Sequence, residues 1–381
     1  MSTDVSPSPR SADRAAQRVY DALAADVTAY RRAPATRAAD ALSVLVLLGS
    51  IAGVAGLVWA TLQVSSWPLG VLVGLGWLAV LTLLPRRVGL EADVAVLTRE
   101  EHPAVHRLVA TTAGLVGVRP PEVIGVDGGL NAYVQPLGWT GRRSALVIGL
   151  PLWTYLSPDQ RVALLGHELG HLRGRDTASG LLHVTSLTLL ARAEYLIGDD
   201  TTTDDRISVA MEADGTVVGR LGLAIQALLA LPITMLIRLH LRWTASSRQH
   251  AEYLADRRSA EVSGTHAARE SLAWGDEGLL TRLGSAVRRG EEPFAYLEEL
   301  PAPTEAHVAR LERPGAGPAP RVDGTHPPTH LRLRLLGSYF LPPGTGRPDG
   351  DQLRAADLEL RALRPTFARG LREDLVSGYY Y

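Results

Sequence analysis

The chain has no cysteine among its 381 residues. That excludes a disulfide framework and a thiolate metal site, so any bound metal must rest on histidine and carboxylate. Lysine is absent too, and all 39 basic residues are arginine. Together with abundant Ala, Gly and Leu, this points to a GC-rich bacterial genome and says nothing about mechanism. The 40 acidic residues bring the formal net charge to −1, which gives no global attraction to nucleic acid. The chain shows no internal repeat, no glycine-rich phosphate loop and no basic-aromatic patch. No secretory signal is expected, because no apolar run lies close to Met1.

Hydrophobic residues make up 46% of the chain, enough for a full core in two or three domain-sized units. Residues 1–40 are polar, with a Ser/Pro-rich start and a helix expected over 11–33. Residues 41–62 are almost wholly apolar and uncharged, long enough to cross a bilayer. A second run, 69–84, follows the turn Trp67-Pro68, so 41–87 reads as a transmembrane helical hairpin. Arg31, Arg32 and Arg37 precede the pair, Arg86 and Arg87 follow it, and the connecting loop carries none. The positive-inside rule then places both ends in the cytoplasm.

The centre of the chain is 157–176, SPDQRVALLGHELGHLRGRD. Ser157, Pro158 at the first helical position and Gln160 form a helix-start signature. One turn beyond the apolar 162–165 lies His167-Glu168-Leu169-Gly170-His171. Residues four apart share a helix face, so both imidazoles point the same way with Glu168 beside them. That supplies two nitrogen ligands for Zn²⁺ and a carboxylate placed to move a proton. In a chain with 11 His, chance yields this pattern about 2 times in 100.

Ahead of the motif, 91–156 reads as mixed α/β. A capping box at Thr98–Glu101 is expected to open a helix toward Val116. Short strands are expected at 122–126 and 131–135, and another at 144–150. The last is read either as a cleft edge able to pair with an extended peptide or as an ordinary core strand. Beyond the motif, 179–198 is apolar but broken by His183, Arg192 and Glu194, which suits a packed or interfacial helix as well as a span. The acidic stretch 199–214 separates it from the cleaner run 217–236, after which come Arg238 and Arg242.

A catalytic zinc keeps three protein ligands and one open place. Glu252 in RQHAEYLADRRSA (248–260) is the chosen third ligand, with Asp256 one turn on; His250 is the lesser choice. His326, on the rigid turn Gly324-Thr325-His326-Pro327-Pro328, is a candidate donor to a tetrahedral oxyanion.

In these residues the chain resembles the membrane-associated M48 zinc metallopeptidases, the family of the heat-shock protease HtpX and the CAAX prenyl endopeptidases. The likeness runs from about 92 to 338 and rests, in order, on Asn131-Ala132-Tyr133, HELGHLRGRD, EYLAD and the HPP turn. It implies an α+β, predominantly helical zincin-type domain with a small β-sheet over 88–340. Apolar helices are inserted at about 179–198 and 217–238, and 341–381 follows as a charged helical tail. One zinc per chain on His167, His171 and Glu252 is implied, with Glu168 as general base and Asp176 and Asp256 orienting the ligands. The resemblance also implies that Asn131, with Ala132 and Tyr133, meets the substrate backbone, and that His326 steadies the transition state. The family commonly carries Arg three residues before the ligand Glu, where this chain has Gln249.

The expected protein is a multi-pass membrane zinc endopeptidase with a cytoplasmic cleft, acting on peptides or on unfolded or membrane proteins, with quality control as its setting. Rival readings are an inactive metal-binding membrane scaffold and a peripheral peptidase whose apolar runs pack internally. CAAX processing is the weakest of the ideas.

Overall fold

The structure is a computed structural model. It describes residues 9–24, 34–84, 88–138, 143–175, 178–197, 217–275, 277–313 and 327–377. Two compact units divide the chain, one drawn from Met1–Arg31, Val88–Asp176 and Arg248–Tyr381, the other from Arg32–Arg87 and Thr177–Ser247.

The first unit is built on a four-stranded sheet of β1 (Ala95–Leu97), β2 (Val123–Asp127), β3 (Ala132–Leu137) and β4 (Arg143–Gly149), in the order β1-β2-β4-β3. β4 runs parallel to β2 and antiparallel to β3. Its last five residues are all buried, as the continuous apolar run of an interior strand requires. The strand at 144–150 is therefore a core strand, and the cleft-edge alternative for it falls. The edge beside β4 is β3, where Pro136 is tolerated because an edge strand need not donate on both sides. Chain 88–89 lies along its far end, through the Val88–Gly138 bridge.

One hydrophobic core joins the sheet to the helices around it. Val105, Leu108 and Val109 enter from the helix Pro103–Val116; Val162, Leu165 and Leu169 enter from the metal helix, Pro158–Arg175. The residues beyond 341, expected as a charged tail, form helices Gly350–Arg361 and Arg364–Ser377. Leu353, Leu360, Leu371 and Leu375 from these helices are part of the same core.

Half of the Thr98–Glu101 box forms: the Glu101 amide donates to Thr98 Oγ1 at 3.3 Å, and the Thr98 hydroxyl donates to Glu101 Oε2 at 3.0 Å. The helix nevertheless starts later, at Pro103. The Glu359 carboxylate accepts from the Ala104 and Val105 amides at 2.9 Å each, so a distant side chain caps this helix. A proline preset for the first turn and a tertiary anion together outweigh the local signal.

The second unit is helical. Pro34–Leu62 has a mean hydropathy of 2.4 over its most apolar window, and Leu45, Ile51, Trp59 and Leu62 stand exposed along it. A second described helix segment, Ile225–Ser263, reaches 1.3, and these two are long and apolar enough to cross a membrane. Trp67–Leu83 is apolar but shorter. In the Ala178–Ile197 helix the interrupting polar groups find partners inside the unit. His183 Nε2 lies 2.8 Å from Asp40 Oδ1, Arg192 donates to the Leu84 carbonyl, and Thr234 donates to Glu194.

The apolar run at 217–236 and the helix expected at 248–260 are a single helix, Val217–Ser263, of 47 residues. Pro232 lies inside it. Its polar end from Arg248 onward belongs to the first unit.

Candidate metal centre

Three helices of the first unit carry the site. Gln160 anchors the start of the metal helix: its Oε1 accepts from the Ser157 amide at 3.1 Å, and its Nε2 donates to the Pro303 carbonyl at 2.7 Å. Two turns later His167 and His171 project together, with Nε2 atoms 3.1 Å apart and rings at 90°. Opposite them the polar end of Val217–Ser263 presents Glu252. Its Oε2 lies 3.7 Å from His167 Nε2 and its Oε1 lies 3.6 Å from His171 Nε2. One ligand atom from each of the three residues falls within 4.8 Å of the others. Two atoms bound tetrahedrally at 2.0–2.2 Å from one zinc ion stand about 3.3–3.6 Å apart. Donor chemistry and spacing both fit that ion.

Two glycines let the helices approach. A β-carbon on Gly166 would lie 3.1 Å from Ser259 Cα, and one on Gly170 would lie 3.1 Å from Ala255 Cα. Ser259 Oγ donates to the Ala163 carbonyl at 2.7 Å across the same seam. These glycines escape a search for ligands, although their spacing of four, in step with the histidines, is visible in the sequence.

Asp256, one turn beyond Glu252, sits behind His167, with Oδ1 3.0 Å from Nδ1. Arg332, on the helix Thr329–Gly337, grips the same carboxylate from the far side, with Nε donating to Oδ2 at 2.8 Å and an NH2 group to Oδ1 at 2.6 Å. That NH2 group is also 3.5 Å from Glu252 Oε2. Burial alone would raise the Asp256 pKa, but the Arg332 guanidinium and the His167 bond hold it below the ordinary carboxylate value. Burial would lower the His167 pKa, yet the bond to Asp256 and the nearby Glu168 leave it raised. Sequence reasoning passed over Arg332, because an arginine among leucines on an arginine-rich helix has no local mark. The guanidinium beside the ligands thus comes from this helix.

Glu168 is buried beside His167 and His171, 8% exposed. Asn131 precedes edge strand β3, Ala132 and Tyr133 lie in it, and β3 packs against the metal helix. The Asn131 carbonyl accepts from the Gly149 amide at 2.8 Å, tying the entry of β3 to the end of β4. Burial, with help from Asp127, pushes the Tyr133 phenol up to about 12. Asp176 and His326 lie outside the described residues.

Two histidines one turn apart with a glutamate between them, joined by a second glutamate from another helix, are the framework of a metal-dependent peptide hydrolase. The chain belongs to peptidase family M48, which it matches over residues 99–339. It is similar to three proteins each named as a protease HtpX homolog. The one from Methanopyrus kandleri is 28% identical over 61% of this chain and 65% of its own. That from Syntrophobacter fumaroxidans is 28% identical over 64% and 78%, and that from Pyrococcus abyssi is 27% identical over 66% and 78%. The match thus spans a little under two thirds of the Methanopyrus protein. No solved structure matches the chain.

Proposed function

We propose that this protein is a zinc-dependent membrane endopeptidase. The observation that carries the reading is the convergence of His167, His171 and Glu252 from two helices, with Glu168 in the same turn as the histidines. Zinc held there would supply a Lewis acid and lower the pKa of a coordinated water. Glu168 takes the proton of the attacking water and passes it to the leaving amine. Asp256 holds His167 by Nδ1, so that Nε2 is the ligand atom. An extended peptide would add to the sheet at edge strand β3 by main-chain hydrogen bonds beside the metal helix. Asn131 lies at the entrance to that edge, and His326 is proposed to stabilise the oxyanion.

The apolar Pro34–Leu62 and the first part of Val217–Ser263 support residence in the membrane. The arginines flanking the hairpin favour a multi-pass arrangement with the site on the cytoplasmic side. Unfolded or membrane-embedded polypeptides are the substrate class that such a location favours, and quality control is the corresponding role. The test is cleavage of an unfolded reporter polypeptide by detergent-purified protein, with zinc present or removed by chelation. Cleavage that survives complete zinc removal overturns the reading.

A further inference from the structure

We propose that Arg332 is a positioning residue for the metal centre: through Asp256 and Glu252 it fixes which atoms the ligands present. The inference rests on the zinc reading above. Asp256 and Glu252 are one helical turn apart, with side chains only 3% and 9% exposed. Two carboxylates so placed repel each other, and burial strengthens the repulsion. Arg332, itself 12% exposed, is the cation between them: it forks onto both oxygens of Asp256 and comes within 3.5 Å of Glu252 Oε2.

The consequence reaches His167. A carboxylate held ionised by a bidentate guanidinium can only accept a hydrogen bond. At Asp256 Oδ1, the partner 3.0 Å away is His167 Nδ1. In the neutral imidazole that nitrogen then carries the proton, and the bare Nε2 faces His171 and Glu252. The same guanidinium draws Glu252 Oε2 to its own side and leaves Oε1 on the side of His171. One arginine thus sets the tautomer of one ligand and the carboxylate orientation of another. Lysine keeps the charge but has no fork, so it cannot hold both oxygens of Asp256 together with Glu252.

The experiment uses the full-length protein in detergent, stripped of metal and titrated with zinc against a chromophoric chelator. Arg332→Met is expected to weaken zinc binding roughly 10–100-fold. Arg332→Lys should fall between wild type and Arg332→Met. Asp256→Asn should weaken binding to a similar degree as Arg332→Met. The Arg332→Met/Asp256→Asn double variant should then lose little more than either single change, because both act on one chain of contacts. Cobalt(II) bound to Arg332→Lys should show an altered visible spectrum, which a purely structural arginine would leave alone.

If Arg332→Met does not fold, Arg332→Lys carries the test: a clear loss of zinc affinity supports the role and wild-type affinity overturns it. Two folded variants that both bind zinc like wild type overturn it, as do losses that multiply fully in the double variant. Wild-type protein that takes up no zinc removes the zinc reading and this inference together. Wild-type binding matched by both variants removes this inference alone.

Discussion

Gly170 stands so close to the helix opposite that a β-carbon there would lie 3.1 Å from Ala255 Cα. Ala255 is the residue before Asp256, and Gly170 is the residue before His171. His171 of one helix and Glu252 of the other can meet because nothing larger than hydrogen separates their backbones at this point.

Gly170→Ala should therefore damage the site from behind. In an exposed helix the change would stabilise by up to about 1 kcal/mol. Here the neighbouring atom is backbone, so overpacking of about 1–3 kcal/mol is expected to win. The check is a thermal melt together with zinc affinity, and both should fall. A raised melting temperature with unchanged zinc affinity would show that the helices have room to spare.

Glu168→Gln should keep zinc and lose cleavage by at least 10²–10⁴-fold, the usual worth of a positioned proton-transfer group. His167→Ala should lose both. Metal analysis and peptide hydrolysis on the same preparations separate the two outcomes, and retained cleavage in Glu168→Gln removes the proposed base.

Asp127 gives a pH-dependent test away from the ligands. It is buried at the end of β2, 8% exposed, and accepts from the Gly129 amide at 2.9 Å. Burial and the acids Asp93 and Glu91 outweigh that bond and hold its pKa above the ordinary 3.8. A carboxyl raised in the folded state favours the protonated form. Its contribution is complete below about 3.8 and is lost as pH rises through the folded value. Asp127→Asn should thus raise the melting temperature at pH 7 relative to wild type, with the advantage shrinking in acid. It should also bring the Tyr133 phenol down from about 12, since Asp127 helps hold it there. Ultraviolet titration of the tyrosines reads the second effect, and an unmoved Tyr133 would contradict the coupling.

Membrane residence has its own check. The protein should stay with membranes through alkaline carbonate extraction, and a reporter fused in the loop near 64–66 should lie outside the cytoplasm. Release into the soluble fraction would favour helices that pack only against protein.

The His-His-Glu cluster was legible because it is written at helical spacing: His167 and His171 in one stretch, Glu252 with Asp256 one turn on in another. What joins the stretches was not. Arg332 reads as one more arginine on a leucine-rich helix until the fold brings it to Asp256. The edge of the sheet stayed open for the same reason, since strand order depends on pairing between segments and 144–150 looks equally good inside or out. At Pro103 a capping anion supplied by Glu359, more than 250 residues away, overrode a sound local signal. The union of 217–236 and 248–260 into one helix was hidden by the change from apolar to charged composition at Arg238, which alters surroundings without breaking the backbone.

The most direct test is metal content by elemental analysis on detergent-purified protein, wild type beside Glu252→Ala. The account predicts about one zinc per chain in wild type and a sharp loss in the variant, because a site reduced to two histidines no longer meets the three-ligand requirement. Full zinc retention in Glu252→Ala would place the third ligand elsewhere and contradict the convergence of the two helices on one metal.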